Sequence, residues 1–176
     1  YIAYCRKKGI EVLPPDVNGS GVRFEVQDGK IRFGLSAVKN VGAKAVELII
    51  QERAHKPYED FFSFLRRVPA DALNKRMVES MIKAGCFDSF HVKRSQLMAV
   101  FESTMDAMAH DRKRNLEGQV SLFEGLLGEN VPSLVPVQEL PDLAAFETRA
   151  MLAMEKEMTG VYITGPPMME YGKYME

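Results

Sequence analysis

The stretch "LSAVKNVGAKAVELI", Leu35 to Ile49, decides how the rest of the chain is read. Leu35 and Val38 lead into a tight turn at Asn40-Val41-Gly42, and a new helix starts near Ala43. From there Ala45, Val46, Leu48, Ile49 and Ile50 recur at the spacing of a helix with one buried face. Lys39 and Lys44 flank the turn. A glycine turn of this kind lets backbone approach a phosphate, and the free N–H groups and dipole of the following helix attract the anion. Such contacts fix position on a duplex without reading bases. The same pattern also serves as an ordinary packing corner, so the junction alone leaves both readings open.

A second junction, "MIKAGCFDSF", places Ala84-Gly85-Cys86 between helices in a similar way. Lys75, Arg76, Lys83, Lys93 and Arg94 surround it. The first junction resembles a helix-hairpin-helix element, whose turn usually reads Gly–apolar–Gly. Asn40 stands where that pattern has its first glycine, and asparagine tolerates positive φ, so the turn is kept. On this reading Lys39, Asn40, Gly42 and Lys44 form one phosphate contact, and Lys83, Gly85, Lys93 and Arg94 a weaker second.

Working outward, the chain is mainly α, made of short helices with one small β-hairpin. The hairpin is expected in "VRFEVQDGKIRFGL", where apolar and polar residues alternate around Asp28-Gly29. Helices are expected at Tyr1–Lys8, in "YEDFFSFLRRV" and in "NKRMVESMIKAG", the last capped by Asn74. Two more follow, "SQLMAVFESTMDAMAHDRKR" capped by Ser95 and "LPDLAAFETRAMLAMEKEMTG" stopped by Gly160. "IEVLPPDVNGSG" is an extended, turn-rich connection. The opening "YIAYCRKKGI" starts mid-helix without methionine and suggests a piece of a larger protein.

Charge is uneven along the chain. Residues 1–31 carry a net +1, residues 32–114 a net +5 and residues 115–176 a net −7. The basic middle fits a surface facing phosphates, or simply solvated helix faces. No apolar run approaches the about 20 residues of a membrane span. Cys5 and Cys86 lie far apart without metal spacing, as in a reducing compartment. His55, His91 and His110 have no partners at ligand spacing, and no phosphate-cradling G-x-x-x-x-G-K occurs. The pairs Glu59-Asp60 and Glu155/Glu157 lie among Lys and Arg and read as solvated faces. No catalytic residue and no metal site is expected.

Five motifs in order carry a resemblance over essentially the whole chain. They are "GIEVLPPDVNGS", "IRFGLSAVKNVGAKAVELII", "NKRMVESMIKAGCFDS", "GQVSLF" and "MEKEMTGVYITGPPM". Together they resemble the alpha subunits of bacterial DNA polymerase III, the C-family replicative polymerases. The family's ending usually reads Ser/Thr-Gly-His-Pro, and Pro166 takes the place of the histidine.

The resemblance implies four regions. Residues 1–34 are the end of the fingers with the β-hairpin, and 35–114 a tandem helix-hairpin-helix region that binds DNA. Residues 115–140 hold a clamp-binding motif, and 141–176 a helical segment leading toward an OB domain. "QVSLF" implies docking of a sliding clamp by Gln119, Leu122 and Phe123. From the residues alone that pair could equally pack on the chain's own core. The parent would be a DNA-directed DNA polymerase, a cytoplasmic nucleotidyltransferase using magnesium held upstream, with other replicase subunits as partners and no membrane. The fragment itself would carry no cofactor and no catalysis. The rival readings are a protein-interaction adaptor without DNA binding, and a helix-hairpin-helix DNA-repair factor.

Overall fold

The computed structural model describes residues 2–116 and 139–164, with the side chains of 114–116 left aside. The described chain is mainly helical with one small sheet. Helix α1, Ile2–Lys7, buries none of its residues and is followed by strand β1, Val12–Leu13. Strands β2, Glu25–Gln27, and β3, Lys30–Arg32, form the hairpin expected at Asp28-Gly29. Both turn residues take positive φ, 51° and 75°, as a two-residue turn matched to the strand twist requires. The proline-rich connection is extended as expected, but β1 also pairs parallel with β3, giving the order β1-β3-β2.

Helices α2, Ala43–His55, α3, Phe61–Arg67, and α4, Lys75–Ala84, follow the apolar spacing. Asp60 caps α3 by accepting from the Ser63 amide at 2.6 Å, and Asn74 caps α4 by accepting from the Met77 amide at 2.8 Å. Each such cap satisfies an amide that the helix leaves orphaned and contributes about 1 kcal/mol.

Helix α5, Arg94–Leu116, starts one residue before the expected cap. The Ser95 hydroxyl donates to the Ala144 carbonyl at 2.7 Å, so it does not cap the helix. Gln96 reaches back to the Lys93 amide at 3.1 Å in that place. The last helix, α6, is shorter than its Leu/Met/Ala stripe suggests and runs only over Thr148–Thr159, ending at Gly160 with φ 80°. Residues 139–147 are an irregular strap across the start of α5. The carbonyls of Pro141, Leu143 and Ala144 accept from Gln96, Lys93 and Ser95, and bonds to another helix replace the ladder of a longer α6.

One continuous core joins these pieces, drawing on Val17, Leu35, Val46, Ile49, Met81, Ile82, Leu97, Met108 and Met158. Its centre is aromatic. Phe87 meets Phe61 and Phe64 edge-on, each at 5.0 Å between ring centres, and stacks on Phe90. Tyr58 meets Phe64 edge-on at 5.2 Å, donates its hydroxyl to the Ile49 carbonyl, and exchanges two bonds with Asn18. Burial pushes the Tyr58 phenol up to about 12, since the charged form has no water to face. The Cys86 thiol is raised for the same reason, and this fully buried sulfur fills space as a small apolar group.

Candidate nucleic-acid interface

The first hairpin is a single 3-10 turn, Leu35–Ala37, followed by the turn and then α2. Leu35, Val38 and Val41 are buried and hold its base. The outward residues Lys39, Asn40, Gly42, Ala43 and Lys44 are all exposed. The residue in the left-handed region is Asn40, at φ 65°. Gly42 has an ordinary extended backbone at φ −77° and ψ 147°. A side chain at Gly42 would meet nothing within 4 Å, so the absence of one leaves the mouth of α2 open. No side chain caps the first turn of α2, and Lys44 extends from that turn. The arrangement is an unoccluded helix N-terminus with a cation on each side, the geometry that attracts an anion.

Two contacts fix this turn to the body. The Lys39 amide donates to the Met158 carbonyl of α6 at 2.7 Å. The Asn40 side-chain amide donates to the Ser80 hydroxyl of α4 at 2.9 Å.

The second junction is built differently. Gly85 ends α4 in the left-handed conformation at φ 85°, and it is buried. A side chain there would stand 2.5 Å from Arg94 Nη2 and 2.9 Å from Asp88 Oδ2. Arg94, expected among the phosphate contacts, is turned inward and only 5% exposed. Its guanidinium pairs with Asp88 at 2.7 Å and Glu155 at 3.2 Å, and donates to the Lys83 carbonyl at the end of α4. Burial acts to lower its pKa, but hydrogen bonds and charges from Asp88 and Glu155 outweigh this and raise it. Lys83 pairs with Glu79 at 3.0 Å, and Lys93 donates to the Leu143 carbonyl. Gly85 and Arg94 therefore hold the corner together from inside, and the strap overlies the start of α5. The two junctions do not form a matched pair of open turns.

Glu155 also departs from its expected solvated face, being 1% exposed. Its Oε2 accepts from the amides of Ile163 and Thr164 at 3.2 and 3.1 Å. Leu152, Glu155 and Met158 form the buried stripe of α6, and that three-residue spacing is the sequence signal for an inward carboxylate. Gln119, Leu122 and Phe123 lie outside the described residues, as does Pro166. Among the described residues no group of three or more His, Cys, Asp or Glu could hold a metal ion. No described helix is long and apolar enough to cross a membrane.

The family described as helix-hairpin-helix motif matches residues 9–97, half of the chain. The DNA polymerase III subunit alpha of Mycobacterium tuberculosis (strain CDC 1551 / Oshkosh) is 41% identical over 96% of this chain, and that of Thermus aquaticus 41% over 97%. The Treponema pallidum subunit is 39% identical over 97%. The chain spans only about 14% of the length of these curated relatives. The aligned region contains the exposed turn, the Gly85 corner and the buried aromatic centre. The chain thus belongs to the helix-hairpin-helix motif family and is homologous, along nearly its whole length, to a segment of the DNA polymerase III alpha subunit.

Proposed function

We propose that this chain is a binding segment of a replicative DNA polymerase alpha subunit, holding duplex DNA by its backbone and docking a sliding clamp. The observation that carries the DNA reading is the open turn from Lys39 to Lys44, exposed at every outward position and uncapped at the start of α2. Lys39 and Lys44 supply the charge, and Gly42 supplies the close approach. At the second junction Lys83 and Lys93 stay nearer the surface than Gly85 and Arg94, so any contact there is secondary. The reaction itself belongs to other parts of the larger protein, as do magnesium and the remaining replicase partners.

Reversing both charges, Lys39→Glu with Lys44→Glu, is expected to weaken binding to every duplex alike. The fitted dependence of log affinity on log salt should flatten by about 0.9 for each lost phosphate contact. Mobility shifts with two unrelated duplexes across a salt series measure this. Loss for one sequence only, or unchanged binding, contradicts the reading. Unchanged binding would favour an adaptor that meets proteins alone.

The clamp reading rests on "QVSLF", with Gln119 bonding at the rim and Leu122 and Phe123 filling an apolar pocket. Each buried large side chain contributes about 1.5–3 kcal/mol, so the isolated motif binds no tighter than about micromolar. Simultaneous engagement of DNA raises the effective affinity. Replacing Leu122 and Phe123 together by alanine is expected to abolish clamp binding while leaving the melting temperature and DNA affinity nearly unchanged. A large fall in melting temperature would instead assign the pair to the chain's own core, where truncation costs about 2–5 kcal/mol per side chain.

A further inference from the structure

We infer that Asn40 is a positioning residue, locking the exposed turn onto α4 through Ser80, rather than a direct phosphate ligand. The inference deepens the DNA reading above and rests on it.

Asn40 combines a left-handed backbone with a side-chain tie, and a glycine at this position could supply only the first. It sits in the left-handed region at φ 65°, which a glycine would accept at less cost. It also carries a side-chain amide, which donates to Ser80 Oγ at 2.9 Å across a separation of 40 residues. Ser80 is 2% exposed and donates its own hydroxyl to the Arg76 carbonyl at 2.8 Å, one helical turn earlier. Its lone pairs are therefore turned toward Asn40 by a bond internal to α4. The amide group that could have reached outward to an anion is engaged inward instead. The side chain joins the turn to the body of α4, near the exposed Arg76 on its first turn.

The consequence is mechanical. The turn is held at Lys39 by its amide on α6 and at Asn40 by its side chain on α4. With both ties in place, Lys39, Gly42 and Lys44 are presented in one arrangement before DNA arrives. Less ordering is then needed on binding, which raises affinity without adding a contact. A net hydrogen bond of this kind corresponds to about a two- to tenfold change in affinity.

The test compares Asn40→Gly, Ser80→Ala and the double variant in the whole chain. Ser80→Ala is the informative one, because Ser80 is buried away from any ligand and its bond to Arg76 is dispensable to α4. Asn40 is exposed, so its freed amide can turn to water and the fold is kept. Both single variants are expected to weaken duplex binding by about two- to tenfold. The double variant should be no weaker than the worse single. The salt dependence should be unchanged, since no phosphate contact is removed. Hydrogen exchange at the Lys39 and Val41 amides, bonded to the Met158 and Val38 carbonyls, should quicken in all three without DNA present.

Weakening by Asn40→Gly with Ser80→Ala at parental affinity would overturn the inference and make Asn40 a direct ligand. Unchanged exchange in both single variants would overturn it as well. Failure of the parent chain to bind any duplex would overturn the DNA reading, and with it the role of the tie in binding, but not the tie itself. That outcome is distinguishable because quickened exchange is read without DNA.

Discussion

Arg94→Ala is expected to destabilise the chain by about 3–5 kcal/mol, a large part of the 5–15 kcal/mol that holds a typical domain together. The guanidinium is buried and answers two carboxylates, Asp88 and Glu155, as well as the carbonyl that ends α4. Removing it leaves the carboxyl of Glu155, itself 1% exposed, without its guanidinium partner and facing a cavity. The loss should be read by denaturant unfolding, with secondary structure and a core probe followed together. A companion variant separates broken pairing from lost packing. Replacing Arg94 by Met and Glu155 by Gln in the same chain removes the charges of the buried pair at similar volume while keeping an acceptor for the Ile163 and Thr164 amides. The double variant should therefore recover most of the stability that Arg94→Ala loses. Equal loss in both would mean that shape, rather than charge, sets the corner.

Phe87→Ala is expected to cost about 3–5 kcal/mol, because it empties the meeting point of the aromatic cluster. Phe87 is 1% exposed, touches Phe61 and Phe64 of α3 edge-on and stacks on Phe90, so three rings lose contacts together. Aromatic pairs of this geometry add about 0.5–1.5 kcal/mol each beyond the area they bury. Phe24→Ala makes the control: that ring is half exposed and packs edge-on to Phe33 beside the sheet. A loss at Phe87 no larger than at Phe24 in urea unfolding would mean that the cluster is not the centre of the core.

Much of the fold was legible because its signals are local. The Asp28-Gly29 turn, the Asn74 cap and the glycine stops at Gly85 and Gly160 are each set by a residue and its immediate neighbours. Local signals fall short where a distant partner decides. Val12–Leu13 is too short to announce a strand and exists by pairing with β3, 19 residues on. The strap carries good helix formers at Leu143, Ala144 and Ala145, but its carbonyls are taken by α5. Ser95 has the chemistry of a cap and spends its hydroxyl on that same strap.

The candidate site shows the same division. Lys39, Asn40, Gly42 and Lys44 could be named from the turn's own spacing, and the structure brings them together at the surface. Local charge points to Arg94 as a surface cation and cannot reveal that Asp88 and Glu155 converge on it. The tie from Asn40 to Ser80 was invisible for the same reason.

In the function proposed above, the turn from Lys39 to Lys44 meets the phosphate backbone of duplex DNA. Amide NMR of the labelled chain, titrated with two duplexes of unrelated sequence, tests it most directly. The largest shift changes are expected at Lys39, Asn40, Gly42, Ala43 and Lys44, alike for both duplexes and suppressed by added salt. Changes concentrated elsewhere, such as on Arg66 and Arg67 of α3, or no changes at any DNA concentration, would contradict it.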